Sequence, residues 1–188
     1  MSWPFLYFAD EALSLAELSA ARLDGDLVDV GEAFMPTDAV ETSALRAASL
    51  RRLIPATVAL TRISAAWVHG AWPSPPARHT VQRCARVRVH VRDPRILYRD
   101  RLVPAADVTV IGGVAVTSPG RTLADLARDF CRGEEEARTV IDAMVGWRPD
   151  LAREGVAWLE QAPPLHYKRP AIAMLRPLAG ERQDDVTR

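Results

Sequence analysis

Hydrophobic and polar positions change rhythm three times along the chain. From Leu13 to Leu23 apolar residues recur at helical spacing, and Ser14-Leu-Ala-Glu17 sets a capping box at their start. The helix predicted there runs to about Asp24, where Gly25 closes it. Residues 26–35 then read as two short strands turning around Gly31. A second box, Asp38-Ala-Val-Glu41, predicts a helix bounded by Pro55. Val58–Leu60 reads as a short strand, and Ser64-Ala-Ala-Trp-Val-His-Gly70 as a helix ended by glycine. Pro73, Pro75 and Pro76 impose a rigid surface loop.

A period of two follows. Val87, Val89 and Val91 alternate with Arg86, Arg88, His90 and Arg92, which predicts a half-buried strand over 84–93; residues 95–102 add another. Val108–Ile111 and Val114–Thr117 flank Gly112-Gly113, the pattern of a tight hairpin. Ser118 and Pro119 open a helix whose apolar stripe is Leu123, Leu126, Ala127 and Phe130. Further helices are expected over 134–145, 150–161 and 169–178. Helices, then a mostly antiparallel sheet, then helices again define an α+β fold. The expected organisation is an N-terminal part over 1–57, a domain over 58–180 and a charged tail over 181–188.

Composition sharpens this picture at a few points. A chain of 188 residues buries about 70% of the surface that its unfolded form exposes, so no disulfide or metal staple is required. Cys84 and Cys131 form no ligand spacing and read as buried thiols in a reducing compartment. No apolar run approaches the ~20 residues that span a bilayer, and the first residues lack a basic leader, so no membrane partner and a cytoplasmic location are expected. Net charge is zero but unevenly spread. Residues 1–45 hold nine acids against Arg22, while residues 46–102 hold twelve arginines against Asp93 and Asp100. A segment so basic can attract phosphate even in a neutral protein; the opposing reading is that the two segments neutralise each other.

Enzyme chemistry finds little support. His69, His79, His90 and His166 show no ligand pairing, and there is no C-x-x-C. Gly112-Gly113 lies within a hairpin rather than between a strand and a helix, so it cradles no phosphate. Glu134-Glu-Glu136 suits a helix N-terminus without further explanation. No catalytic residue, cofactor, metal or small-molecule substrate is expected. The strongest candidate site is the arginine ridge Arg86, Arg88, Arg92, Arg95 and Arg99, whose guanidinium groups would track successive phosphates of double-stranded DNA. Its alternative is a solvated or internally paired face. Arg121 and Asp125 stand four apart on one helix and can pair across a turn. Trp67 reads as core, and His69 as a satisfied hydrogen-bonding residue.

Ser64-Ala-Ala-Trp-Val-His-Gly70, Val116-Thr-Ser-Pro-Gly-Arg-Thr-Leu-Ala-Asp-Leu-Ala127 and the arginine-rich strands between them resemble the AbiEi-type family of antitoxins and transcriptional regulators. The resemblance covers about residues 14–130, and the family pattern falls on Trp67, His69, Gly70, Arg121, Thr122 and Asp125. It implies a winged helix-turn-helix that binds promoter DNA, followed by an α/β domain, in a protein that represses its own operon and counters a toxin. In this chain one helix and the wing-like strands at 26–35 are all that correspond to the winged helix, and the nuclease domain of some relatives is missing. The expected function is an AbiEi-like antitoxin or DNA-binding regulator acting by stoichiometric binding. Its implied partners are double-stranded DNA, a toxin protein or a second copy joined through Trp3 to Phe8. The alternative is a protein-interaction module that has lost DNA binding, with Trp3, Phe5, Tyr7 and Trp72 as anchors.

Overall fold

The computed structural model describes residues 5–10, 12–87 and 89–180; Trp3, Arg88 and the tail over 181–188 lie outside the described residues. Helix α1 (Leu15–Leu23) opens on the capping box: the Glu17 amide donates to Ser14 Oγ at 3.2 Å, and the Ser14 amide to the Glu17 carboxylate at 2.8 Å. Strands β1 (Leu27–Val30) and β2 (Ala33–Pro36) form an antiparallel hairpin, whose outer edge pairs with Tyr7 through Phe34. Helix α2 is Ser43–Ser49. It starts later than the box at Asp38 predicts, because Thr42 is the residue whose side chain accepts from the Leu45 amide, at 3.2 Å.

Strand β3 (Val58–Leu60) and helix α3 (Arg62–His69) follow, then β4 (His79–Arg83), β5 (Ile96–Leu102), β6 (Val108–Ile111) and β7 (Val114–Thr117). The last four helices are α4 (Pro119–Cys131), α5 (Ala137–Trp147), α6 (Leu151–Gln161) and α7 (Lys168–Gly180). The five-stranded sheet runs β5-β4-β3-β7-β6, with β3–β4 and β6–β7 antiparallel and β3–β7 and β4–β5 parallel. The fold is α+β, and with the β1–β2 hairpin three of the five strand pairings are antiparallel.

Residues 84–93 are not a strand. Strand β4 already pairs with β3 on one side and with β5 on the other, so no free edge is left for another ladder beside it. Because β5 is parallel to β4, with Ile96 beside His79, the chain leaving Arg83 must travel back the length of the strand before pairing again. Residues 84–95 make that return and close on Asp93, whose carboxylate accepts from the Arg95 amide at 2.9 Å. The alternation persists in part: Val89 and Val91 pack on the core, while Val87, His90 and Arg92 are exposed. Period two reported which residues face inward, not whether a partner strand exists.

Alternation divides the real sheet into two unlike faces. Val58, Leu60, Val81, Ile96, Val114 and Val116 join α2, α3 and the β1–β2 hairpin in one apolar core. The opposite face carries Ala59, Thr80, Gln82, Leu97, Arg99 and Thr117 at alternate positions, and it looks toward α4. A second core, built from α3 to α7, lies in the helical layer. Between the two cores the packing is therefore polar. The β6–β7 turn needs glycine at Gly112: φ is +55°, and a Cβ there would stand 2.3 Å from the Ala44 carbonyl oxygen. Cys84 and Cys131 are free and half-buried, short of the full burial expected.

Candidate functional site

The ridge arginines separate once the strand is gone. Arg86 and Arg92 are exposed on the β4–β5 connection, and among the described residues neither meets an acid. Arg95 is neutralised: it pairs with Asp93 at 2.7 Å and with Glu32 across from the N-terminal hairpin. Arg95 in turn holds the Asp93 carboxyl down to about pKa 2. Arg99, on β5, points the other way, toward Asp129 at 3.6 Å and Glu134 at 3.4 Å on the helical side. Of the four described ridge arginines, Arg86 and Arg92 are therefore left exposed on the connection, while Arg95 and Arg99 are taken up by carboxylates; Arg88 lies outside the described residues.

Of the family-motif residues, Trp67, His69, Arg121, Thr122 and Asp125 are buried and Gly70 is exposed. Trp67 is 1% exposed at the heart of α3, with Arg46 stacked on its ring and donating to its carbonyl at 2.7 Å. Gly70 ends α3 at φ +93°, a conformation that closes the helix and turns the chain so that the same guanidinium reaches the Trp72 carbonyl at 3.0 Å. His69 lies against Trp147 and binds the Thr117 carbonyl through Nε2 at 2.8 Å. Burial lowers its pKa, opposed by that carbonyl and reinforced by Arg148. The Thr117 hydroxyl meets the Thr122 hydroxyl at 2.8 Å, so α3, β7 and the first turn of α4 are stitched at one point.

A charged row continues along α4. Arg121 pairs with Asp125 at 2.8 Å and with Asp107 at 2.7 Å, and its guanidinium lies 4.3 Å from the Trp158 ring centre. Trp158 itself donates to Asp107 at 2.8 Å. Asp125 also accepts from Arg128 at 3.0 Å, and Arg128 donates to the His166 carbonyl at 2.9 Å. Asp129 takes the Arg62 guanidinium, with Arg132 at 3.5 Å. Burial works against the Arg62 charge, yet Asp125, Asp129 and Glu134 together raise its pKa. Sequence reasoning missed Arg62, Asp107, Arg128, Asp129 and Trp158. For Asp107 and Trp158 no local signal existed, since 51 positions separate them; for Arg128 and Asp129 the signal was two adjacent charges late in a strongly amphipathic helix.

Two cavities open where the polar sheet face meets the helices. One, of about 560 Å³, is bordered by Ile63, Leu97, Leu126 and Val140 with Glu134 to Glu136 at its rim. Its neighbour, of about 380 Å³, is bordered by Arg62, Arg99, Arg101, Arg128 and Arg132. Arg62, Arg99 and Asp129 line both. Among the described residues no group of three or more His, Cys, Asp or Glu side chains could hold a metal, and no helix is long and apolar enough to cross a membrane.

Fold and site together define a mixed-sheet α+β domain whose central helix is held by buried arginine–carboxylate pairs. The family model for the AbiEi antitoxin C-terminal domain matches residues 56–152, from the start of β3 into α6. The chain belongs to that family, an antitoxin family of toxin–antitoxin systems. No curated protein matches it.

Proposed function

We propose that this protein is an AbiEi-like antitoxin or transcriptional regulator that works by stoichiometric binding to double-stranded DNA through its β4–β5 connection. The observation that carries the reading is the pair Arg86 and Arg92, exposed and without an acidic partner among the described residues, within a domain of an antitoxin family. Guanidinium groups left uncompensated on a surface are the ones available to displace counterions from phosphate. Arg95 and Arg99, taken up by carboxylates, contribute little to this contact. Helix α1 and the β1–β2 hairpin keep the outline of a shortened winged helix, but α1 exposes Glu17 and Asp24, and its Arg22 is paired with Asp29 at 3.1 Å. It repels a phosphate backbone rather than entering a groove.

Fluorescence anisotropy against the protein's own upstream DNA and a scrambled duplex, over a salt series, tests the reading. Binding should weaken steeply with salt, and Arg86→Ala/Arg92→Ala should flatten the slope by about 2, near 0.9 per lost phosphate contact. An unchanged slope refutes the placement.

One observation favours the second reading, a protein-binding module. Helix α1 buries only Leu18 and leaves Leu15 and Leu23 in solvent, with Phe5 and Val28 exposed nearby in sequence. Of the other anchors, Tyr7 is tied into the hairpin edge and Trp72 packs on the core. Failure to bind either duplex, together with a mass that rises with concentration in sedimentation, decides for this reading in its homodimer form.

A further inference from the structure

The cleft of about 380 Å³ beside α4 differs from the rest of the buried network, where each guanidinium meets its own carboxylate. Five arginines line it, against the carboxylates of Asp100 and Asp129. Asp100 is occupied by Arg83 at 3.2 Å and the Tyr98 hydroxyl at 3.0 Å. Asp129 is divided among Arg62, Arg99 and Arg132, and the last two also meet Glu134. Five carboxylates (Asp100, Asp107, Asp125, Asp129 and Glu134) thus face seven guanidinium groups (Arg62, Arg83, Arg99, Arg101, Arg121, Arg128 and Arg132) in and around the cleft. Arg101 has no acidic partner among the described residues, and Arg128 reaches only Asp125, which Arg121 also uses. Positive charge is in excess there; Arg128 is buried, where water screens it less than at a surface, while Arg101 and Arg132 are exposed and open to an incoming anion.

Two independent observations point to an occupant. Gln82 is 2% exposed and borders the cleft, yet its Oε1 has no hydrogen-bond partner. A buried amide oxygen left so is costly, unless a ligand donor reaches it or the amide turns to offer its NH₂ to an anion. Second, the only non-glycine residues with positive φ among those described, Arg62 at 58° and Tyr167 at 60°, both border this cleft. Such strain collects at ligand sites. Crowding is visible in Arg128 as well: burial lowers its pKa, and Arg101 and Arg62 push it further down against the pull of Asp125 and Asp129.

We infer that this cleft binds a phosphate group, seated between Arg101, Arg128 and Arg132 with the Gln82 amide at its floor. Guanidinium groups match phosphate oxygens in bidentate geometry. A volume of about 380 Å³ admits a phosphate with a small attached group such as a sugar, and Tyr167 at the mouth offers a ring or a hydroxyl to that group. Phosphate could arrive as a small phosphomonoester or as one link of a nucleic-acid backbone. No residue of the β4–β5 connection lines this cleft, so it is tested separately from the DNA contact through Arg86 and Arg92.

Calorimetric titration of the full chain with inorganic phosphate, ribose 5-phosphate and a short DNA duplex, at matched ionic strength, tests this. Arg101→Ala leaves no carboxylate unpaired, and Gln82→Leu removes an unpaired amide, so both should fold. Saturable binding of phosphate or ribose 5-phosphate that weakens about 10-fold or more in Arg101→Ala, while Arg86→Ala/Arg92→Ala binds as the parent does, supports the site with a small-molecule source. Binding of the duplex alone, weakened to the same extent by Arg101→Ala, supports it with a backbone phosphate as the ligand. A parent that binds none of the three, or an Arg101→Ala variant and a Gln82→Leu variant that both bind as the parent does, overturns it.

Discussion

The β4–β5 connection and helix α4 both carry arginines, and they use the same side chain in opposite ways. On the connection, Arg86 and Arg92 are exposed and hold no acidic partner among the described residues. On α4, Arg121 and Arg128 are 4% and 8% exposed, and the carboxylates they meet, Asp107 and Asp125, have side chains 13% and 0% exposed. In the first region the charge is available to a partner and contributes little to folding. In the second Arg121 is taken up by Asp107 and Asp125 and Arg128 shares Asp125 with it, so removing that carboxylate strands guanidinium charge in low dielectric. Arginine density along a sequence therefore says little about binding until each guanidinium's partner is known.

The sharpest way to break this contrast is to neutralise the shared carboxylate. Asp125→Asn leaves Arg121 and Arg128 competing for a neutral amide in a site that is 0% exposed. It should lower unfolding free energy by about 3–5 kcal/mol in chemical denaturation. If the loss is under 1 kcal/mol, the α4 row is not a structural unit and the contrast with the connection collapses.

Acid tests the point where the connection rejoins the sheet. His79 begins β4, is 3% exposed, and receives the end of the connection through its amide bond to the Arg95 carbonyl at 2.7 Å. Burial, with Arg95 adding to it, lowers its pKa from 6.5 to about 4. A folded-state pKa below the unfolded value means that the unfolded chain binds more protons between the two. Stability from the neutral ring is thus complete above about pH 6.5 and is lost as pH falls toward 4, by about 2–3 kcal/mol. Melting temperature followed across that window should fall less steeply in His79→Gln than in the parent. Equal slopes would show that other groups carry the acid sensitivity.

Much of the fold was legible because local patterns decided it. The box at Ser14 and Glu17, the Gly112-Gly113 turn and the Ser118-Pro119 helix start each rest on chemistry within a few residues. The strand over 84–93 was misread because its alternation is real but its partner is a tertiary matter, settled by β5 docking parallel to β4. The candidate site divides the same way. Arg121 and Asp125 pair within one helix and were visible, whereas Arg62 with Asp129, 67 positions away, could not be paired from spacing. Gln82 gave no sign at all, since a polar residue on a strand reads as solvent-facing until α4 is placed over it.

The smallest effect is the most discriminating. Arg86→Ala/Arg92→Ala removes two exposed charges that hold no partner among the described residues, so unfolding free energy should stay within about 0.5 kcal/mol of the parent. The same substitutions are those expected to flatten the salt dependence of DNA binding. A large change in stability would mean that the connection is bound into the fold as tightly as α4 is, and its arginines would lose their claim to a partner. Unchanged stability with unchanged DNA binding would leave them as solvated charge, and the phosphate chemistry of the protein would then rest on Arg101 and its neighbours. Only unchanged stability with a flattened salt slope keeps the two regions distinct in both structure and function.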